Sequence, residues 1–290
     1  MQTKPVHPLF GIEVEGVSLR EATPDHLYPE IRDLFERHSL VLFRSQHLTD
    51  EEQTEFSKLF GPLEDRSNIR MDGPPKISPV SNVQEDGKLL DEKDQKLLNL
   101  RSNMLWHTDS TFLPVPALAN ILQARVVPSE GGATEFASSR AGFASFDADL
   151  QEKLRHLFFH HRYGHSRAKI DPELAKQEMF TMWPEQKWRA VWTNPVTGAE
   201  SLYIASHAFA VEGMEPEEGL AFIDRLTETI THPEHIYSHD WEPGDVIVWD
   251  ERAILHRGTP WPYQEPRTLV SYCVSARDVD GLNTVSPKAA

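Results

Sequence analysis

Two stretches far apart in the chain carry side chains able to hold a transition metal. They are Leu105-Trp106-His107-Thr108-Asp109-Ser110-Thr111-Phe112 and Trp249-Asp250-Glu251-Arg252-Ala253-Ile254-Leu255-His256-Arg257-Gly258. In a strand, residues i and i+2 point to the same face, so His107 and Asp109 would present an imidazole and a carboxylate side by side. His256 would complete a two-histidine, one-carboxylate face. That donor set suits Fe(II) and leaves open positions for a cosubstrate and O2. A His-x-Asp pair alone is a weak signal in a chain with 14 histidines. Two further groups add weight: Arg267, on a β-like run after His256, and Thr134 within Gly131-Gly132-Ala133-Thr134-Glu135-Phe136. A guanidinium and a hydroxyl on strands of one barrel can grip the far carboxylate of a dicarboxylic cosubstrate, the arginine by a two-pronged fork.

These groups need a scaffold. Pro24 to His38 reads as a helix, with Leu27, Ile31, Leu34, Phe35 and His38 at helical spacing, and Ser39 to Phe43 as a buried strand. Thr49 to Phe60 reads as a second helix, opened by a capping box of Thr49 and Glu52 and stopped by Gly61-Pro62. Residues 64–103, with Pro74-Pro75 and Asp86-Gly87, read as a long active-site lid loop. Beyond Ala119, short β-like runs follow: Asn120 to Val126, Ala133 to Phe136, Ser201 to Ile204, Asp245 to Trp249 and Arg267 to Val274. Helices near Phe146 to Leu157 and at Pro216 to Ile230 interrupt them. The pattern predicts one α+β, mainly β domain over residues 1–290, a jelly roll with flanking helices.

Lys plus Arg total 29 and Asp plus Glu 45, a net charge of −16. Such a field repels nucleic acid and anionic membranes and points to a small-molecule partner. No apolar run reaches the roughly 18 residues a membrane span requires. The lone Cys273 is expected as a packed core thiol, and with no secretory signal evident it suggests a reducing, cytoplasmic setting. Oligomeric state stays open, a homo-oligomer included.

The ordered motifs give a sharper reading. His7-Pro8-Leu9-Phe10, Val41-Leu42-Phe43-Arg44-Ser45-Gln46, Phe60-Gly61-Pro62-Leu63-Glu64, Trp106-His107-Thr108-Asp109-Ser110, the Gly-Gly-x-Thr-Glu-Phe segment and Trp249-Asp250 leading to Leu255-His256-Arg257-Gly258 span nearly the whole chain. Together they resemble the taurine dioxygenase and 2,4-dichlorophenoxyacetate dioxygenase family of Fe(II)/2-oxoglutarate enzymes, nearest its aryloxyalkanoate-degrading branch. The resemblance implies a double-stranded β-helix, iron on His107, Asp109 and His256, and 2-oxoglutarate on Thr134 and Arg267. It also implies hydroxylation of a small, anionic, aryloxyalkanoate-like substrate, with succinate and CO2 as co-products and ether cleavage to a phenol and an oxo acid. Alternatives are the same chemistry on a sulfonate, an amino-acid derivative or a purine, and, as another class, a non-catalytic metal- and 2-oxoglutarate-binding sensor.

One position departs from the family. Where many members carry a second arginine, four residues after the 2-oxoglutarate arginine, this chain has Ser271. Candidates for holding the substrate are therefore the lid residues Lys88 and Arg70, then Asn82, His207 and Ser271 itself. The cluster His156, His160, His161 and His165 is expected to be structural. Trp183, Trp188 and Trp192 are read as core residues that could instead floor an aromatic pocket.

Overall fold

The run Leu40-Val41-Leu42-Phe43 is apolar at every position because both its faces are covered. Val41 and Phe43 pack with Ile31 and Phe35 of the helix Tyr28–His38 and with Phe56 of the helix Asp50–Lys58. Leu40 and Leu42 join a second core with Phe136, Trp249 and Ile254. The strand Val246–Asp250 divides the same way, Val246 and Val248 to the first core and Ile247 and Trp249 to the second. That is the two-residue alternation of a pleated strand between two layers.

The computed structural model of the chain describes residues 1–65, 78–91 and 94–287. Among these residues, a seven-stranded sheet runs in the order Gln2–Pro5, Ile12–Glu15, Leu40–Phe43, Val246–Asp250, Ala117–Val126, Thr268–Ser275 and Ser78–Ser81. A three-stranded sheet, Ile236–His239, Thr134–Ser138 and Ile254–Gly258, shares the second core with it. A further three-stranded sheet (Ala208–Val211, Phe158–His161, Gln186–Arg189) and the pair Glu200–Leu202 and Val191–Thr193 complete the β structure. The helix Pro216–Ile230 buries Ile223, Leu226 and Ile230 in a third core with Phe143 and Leu154. No described helix is long and apolar enough to cross a membrane.

Local signals hold where they are self-contained. The Glu52 N–H donates to Thr49 Oγ1 at 3.2 Å and the Thr49 N–H to Glu52 Oε2 at 2.8 Å, so the capping box forms. The first helix starts at Tyr28 rather than Pro24, because Leu27 takes a φ of 64° and breaks the turn before it. The described parts of the segment 64–103 include regular structure. Ser78–Ser81 adds to the edge of the large sheet beside Thr268 to Ser271, and Asp94 caps the helix Gln95–Ser102. Arg70 lies outside the described residues.

Candidate active site

His256 stands on the strand Ile254–Gly258. His107 is held against it by a reciprocal backbone pair, His107 N–H to His256 O at 3.0 Å and His256 N–H to His107 O at 2.8 Å. His107 is thus a single-residue bridge rather than part of a strand, and Asp109 sits in the turn that follows, before Ser110 at a φ of 62°. The expected side-by-side placement survives by a different local geometry. Ligating atoms of His107, Asp109 and His256 all lie within 4.8 Å of one another. His107 Nε2 is 3.8 Å from Asp109 Oδ1, and His256 Nε2 is 4.0 Å from Asp109 Oδ2.

The surroundings fix the state of these groups. His107 Nδ1 is 2.7 Å from the Leu105 carbonyl, so it carries the proton and leaves the Nε2 lone pair facing its neighbours. Burial first, then His107, lowers the His256 pKa to about 3, keeping the neutral imidazole a metal ligand must be. The Asp109 N–H donates to Glu251 Oε2 at 2.8 Å. Burial, and then the charge of Asp109, pushes Glu251 well above the usual carboxylate range. Asn120 Nδ2 donates to Asp109 Oδ2 at 2.7 Å, and Ser271 Oγ donates to Asn120 Oδ1 at 2.8 Å. Cys273 Sγ lies 3.5 Å from the same Asp109 oxygen. The lone cysteine is therefore half-buried at the site rather than packed in the core.

The proposed cosubstrate grip is equally built. Arg267 is 3% exposed, and its Nε and Nη2 donate to Gly132 O at 3.1 and 2.8 Å. Gly132 has a φ of 69°, and a Cβ there would lie 2.9 Å from Arg267 Nε, so both backbone and space demand glycine. Among the described residues no carboxylate pairs with Arg267, and burial lowers its pKa to about 10. Thr134 Oγ1 accepts the Trp241 indole N–H at 2.9 Å, which leaves the hydroxyl proton to donate elsewhere. Both residues line one cavity with the three metal-ligand candidates, about 470 Å³ in volume.

The other expectations divide. Asn82 is buried outside the cavity wall. Its amide donates to the Tyr263 and Glu265 carbonyls and its Oδ1 accepts the Arg267 N–H, so it positions the arginine's backbone instead of meeting substrate. Lys88 does not reach the site: its ammonium is 79% exposed and pairs with Asp86 at 2.7 Å. Ser271 and His207 line the cavity. Trp183, Trp188 and Trp192 are buried elsewhere, and Trp249 and Trp261 line the cavity. The second histidine cluster does not converge: His156 pairs with Glu152, His160 with Glu185, and His161 is buried beside Tyr203. Sequence reasoning missed Asn120, Glu251 and Trp241. The available signal for Asn120 was a polar residue inside the otherwise apolar run Ala117 to Leu122.

Comparison with known proteins agrees with this geometry. The chain is 35% identical over 274 residues to an (S)-phenoxypropionate/alpha-ketoglutarate-dioxygenase of Sphingobium herbicidovorans, covering 91% of each chain. It is 35% identical over 272 residues to the alpha-ketoglutarate-dependent 2,4-dichlorophenoxyacetate dioxygenase of Cupriavidus pinatubonensis, covering 91% of this chain and 94% of the relative. A solved structure of AAD-2 in complex with Mn(II) and N-oxalylglycine superposes with a TM-score of 0.87 at 32% identity, covering 95% of this chain and 98% of that one. The description "Taurine catabolism dioxygenase TauD, TfdA family" matches residues 2–273, and the chain belongs to that family.

Proposed function

We propose that the protein is an Fe(II)- and 2-oxoglutarate-dependent dioxygenase that hydroxylates a small aryloxyalkanoate-like acid. The carrying observation is one cavity with His107, Asp109 and His256 on its wall and the buried cation Arg267 beside Thr134 on another part of it. The donor set fits Fe(II), and a buried guanidinium with no described carboxylate partner fits the far carboxylate of 2-oxoglutarate. A single domain over residues 1–290, with 64–103 as its lid and a double-stranded β-helix as its frame, is part of the proposal. So is a cytoplasmic setting.

When bound, iron supplies the oxidising chemistry: one oxygen atom of O2 enters the substrate C–H bond and the other leaves in succinate, with CO2 released. The chain's own residues prepare this. Leu105 fixes the His107 tautomer, and burial keeps His256 neutral. Asn120 and the Asp109 backbone contact to Glu251 hold the carboxylate in one orientation. Asn82, Gly132 and Trp241 set the direction of Arg267 and of the Thr134 hydroxyl. Phe112, Leu122, Trp249 and Leu269 give the cavity apolar wall suited to an aryl group and to excluding water. If hydroxylation falls on the carbon bearing an aryl ether, the hemiacetal product collapses to a phenol and an oxo acid.

The test is succinate release with Fe(II), 2-oxoglutarate, ascorbate and a panel of aryloxyalkanoates, sulfate esters, sulfonates and purines. Phenoxyalkanoates should give substrate-dependent succinate and a phenol. His107→Ala and His256→Ala should lose both the product and the visible band of the anaerobic Fe(II)/2-oxoglutarate complex. Full turnover by either variant without added imidazole would remove the triad. Succinate from every panel class except the aryloxyalkanoates would overturn the substrate reading and keep the reaction class.

A further inference from the structure

The strand Thr268–Ser275 turns alternate residues toward the cavity: Leu269, Ser271 and Cys273 line it, as does Arg267 just before the strand. The neighbouring strand Ala117–Val126 adds Asn120 and Leu122 to the same wall. Ser271 is paired with Leu122 and Cys273 with Asn120, so Ser271 and Asn120 are diagonal neighbours across the two strands. Ser271 stands four residues beyond Arg267, about 13 Å of extended chain, which separates the pair from the cosubstrate grip.

The direction of each hydrogen bond in this pair is fixed from its end. A carboxylate only accepts, so the Asn120 atom 2.7 Å from Asp109 Oδ2 is the amide nitrogen. Asn120 Oδ1 therefore faces Ser271, and the serine hydroxyl gives its proton to it at 2.8 Å. Two capacities remain. The Asn120 amide has a second N–H, and the Ser271 oxygen has lone pairs but no proton left to give. Among the described residues neither has a partner, and both side chains line the cavity. The wall thus offers one neutral donor beside one neutral acceptor, and the charged group bonded to the pair is the anion Asp109. A substrate carboxylate carries only acceptors, so it would face the Ser271 lone pairs or draw the serine proton away from Asn120. A primary carboxamide or a hydroxyl both donates and accepts. It satisfies both positions and leaves the link to Asp109 intact.

We propose that Asn120 and Ser271 form a head-group subsite for a neutral substrate, so that the enzyme oxidises aryloxyalkanamides and aryloxyalkanols besides aryloxyalkanoic acids. The proposal rests on the dioxygenase reading above and widens its substrate class. The head accepts from the Asn120 N–H and donates to Ser271 Oγ, one hydrogen bond away from a metal-ligand candidate. Hydroxylation of the carbon between ether oxygen and head group consumes O2 and 2-oxoglutarate and gives succinate and CO2, as for an acid. The hemiacetal then breaks its bond to the aryl oxygen. That oxygen takes the hydroxyl proton and leaves as the phenol, with an oxo amide or a hydroxy aldehyde as the other product.

The test compares phenoxyacetamide with two analogues of nearly the same shape: phenoxyacetone, which lacks the donor, and phenoxyacetate, which lacks the donor and carries charge. Each is titrated calorimetrically into the full chain loaded with Mn(II) and 2-oxoglutarate. Wild type should bind the amide about three- to tenfold more tightly than the ketone, the worth of one hydrogen bond, and at least as tightly as the acid. Ser271→Ala should bring amide and ketone together. The comparison is a ratio within one protein, so a change in metal affinity does not enter it, and the wild-type ratios decide the matter if the variant does not fold. With Fe(II) and O2, phenoxyacetamide and phenoxyethanol should each release phenol and succinate in equal amounts. Equal binding of amide and ketone by wild type would overturn the proposal, as would tighter binding of the acid than of the amide, or an amide preference that survives in Ser271→Ala. If none of the three binds, the subsite is wrong; the dioxygenase reading then still stands if another compound drives succinate formation.

Discussion

Replacing Arg267 with methionine should have opposite consequences for cosubstrate binding and for the empty fold. Burial lowers the guanidinium from its usual range to about 10, a penalty of roughly 3 kcal/mol. The sign is that of a base with a depressed pKa. The penalty is fully present at neutral pH and is relieved only as pH rises through about 10. Against it stand the two N–H bonds to Gly132 O, together about 1.5–3 kcal/mol because they share one acceptor. Methionine fills much of the volume and removes both sides of this balance. The variant without cosubstrate should therefore differ from wild type by less than about 1 kcal/mol, a thermal midpoint shift of about 2–4 °C. Affinity for 2-oxoglutarate should drop by about 2–5 kcal/mol, since a buried anion–cation pair is lost. Calorimetric melts with and without 2-oxoglutarate, with Mn(II) in place of iron, read both quantities. Equal stabilisation of wild type and variant by 2-oxoglutarate would refute the assignment. A fall of 10 °C or more without cosubstrate would show that Arg267 is a structural ion.

Other substitutions test other parts of the molecule. Trp241→Phe removes the donor that orients the Thr134 hydroxyl, and 2-oxoglutarate affinity should weaken by about 0.5–1.5 kcal/mol. Thr134→Val should do the same, and strictly additive losses in the double variant would show that the two do not act together. Glu36 binds the buried Arg252 at 2.6 Å and its pKa is lowered, so its stabilisation is present above about pH 4.5 and lost as pH falls. Glu36→Gln should cost about 3 kcal/mol in urea melts at pH 7 and leave 2-oxoglutarate affinity unchanged. His161 is fully buried with its pKa lowered to about 3, so the unfolded chain takes up a proton that the folded one refuses between pH 6.5 and 3. His161→Phe should make the loss of stability over that window shallower by up to one proton, and an unchanged slope would mean the imidazole is not held neutral.

Readability from sequence tracked how local each determinant is. The capping box at Thr49 and the helix Pro216–Ile230 depend on residues within one or two turns, and both form as read. The candidate metal triad was legible because its two short motifs carry metal-ligating residue types, although His107 reaches its place by a backbone bridge and not by strand alternation. What escaped depends on long-range register. Asn120 meets Asp109 only because Ala117–Val126 lies beside Thr268–Ser275, and nothing within the apolar run foretells that. Lys88 looked useful from its place in a loop, but its Asp86 partner two residues earlier is enough to keep it in solvent.

The chain of contacts from Ser271 through Asn120 to Asp109 bears on how this enzyme can change over evolutionary time. Ser271 is wired through Asn120 to the carboxylate of the metal-ligand candidate Asp109. A substitution that gained a new substrate contact at 271 would release the Asn120 amide and loosen Asp109 at the same moment. Positions 271 and 120 are therefore coupled, so that a change of side chain at one is best tolerated with a compensating change at the other.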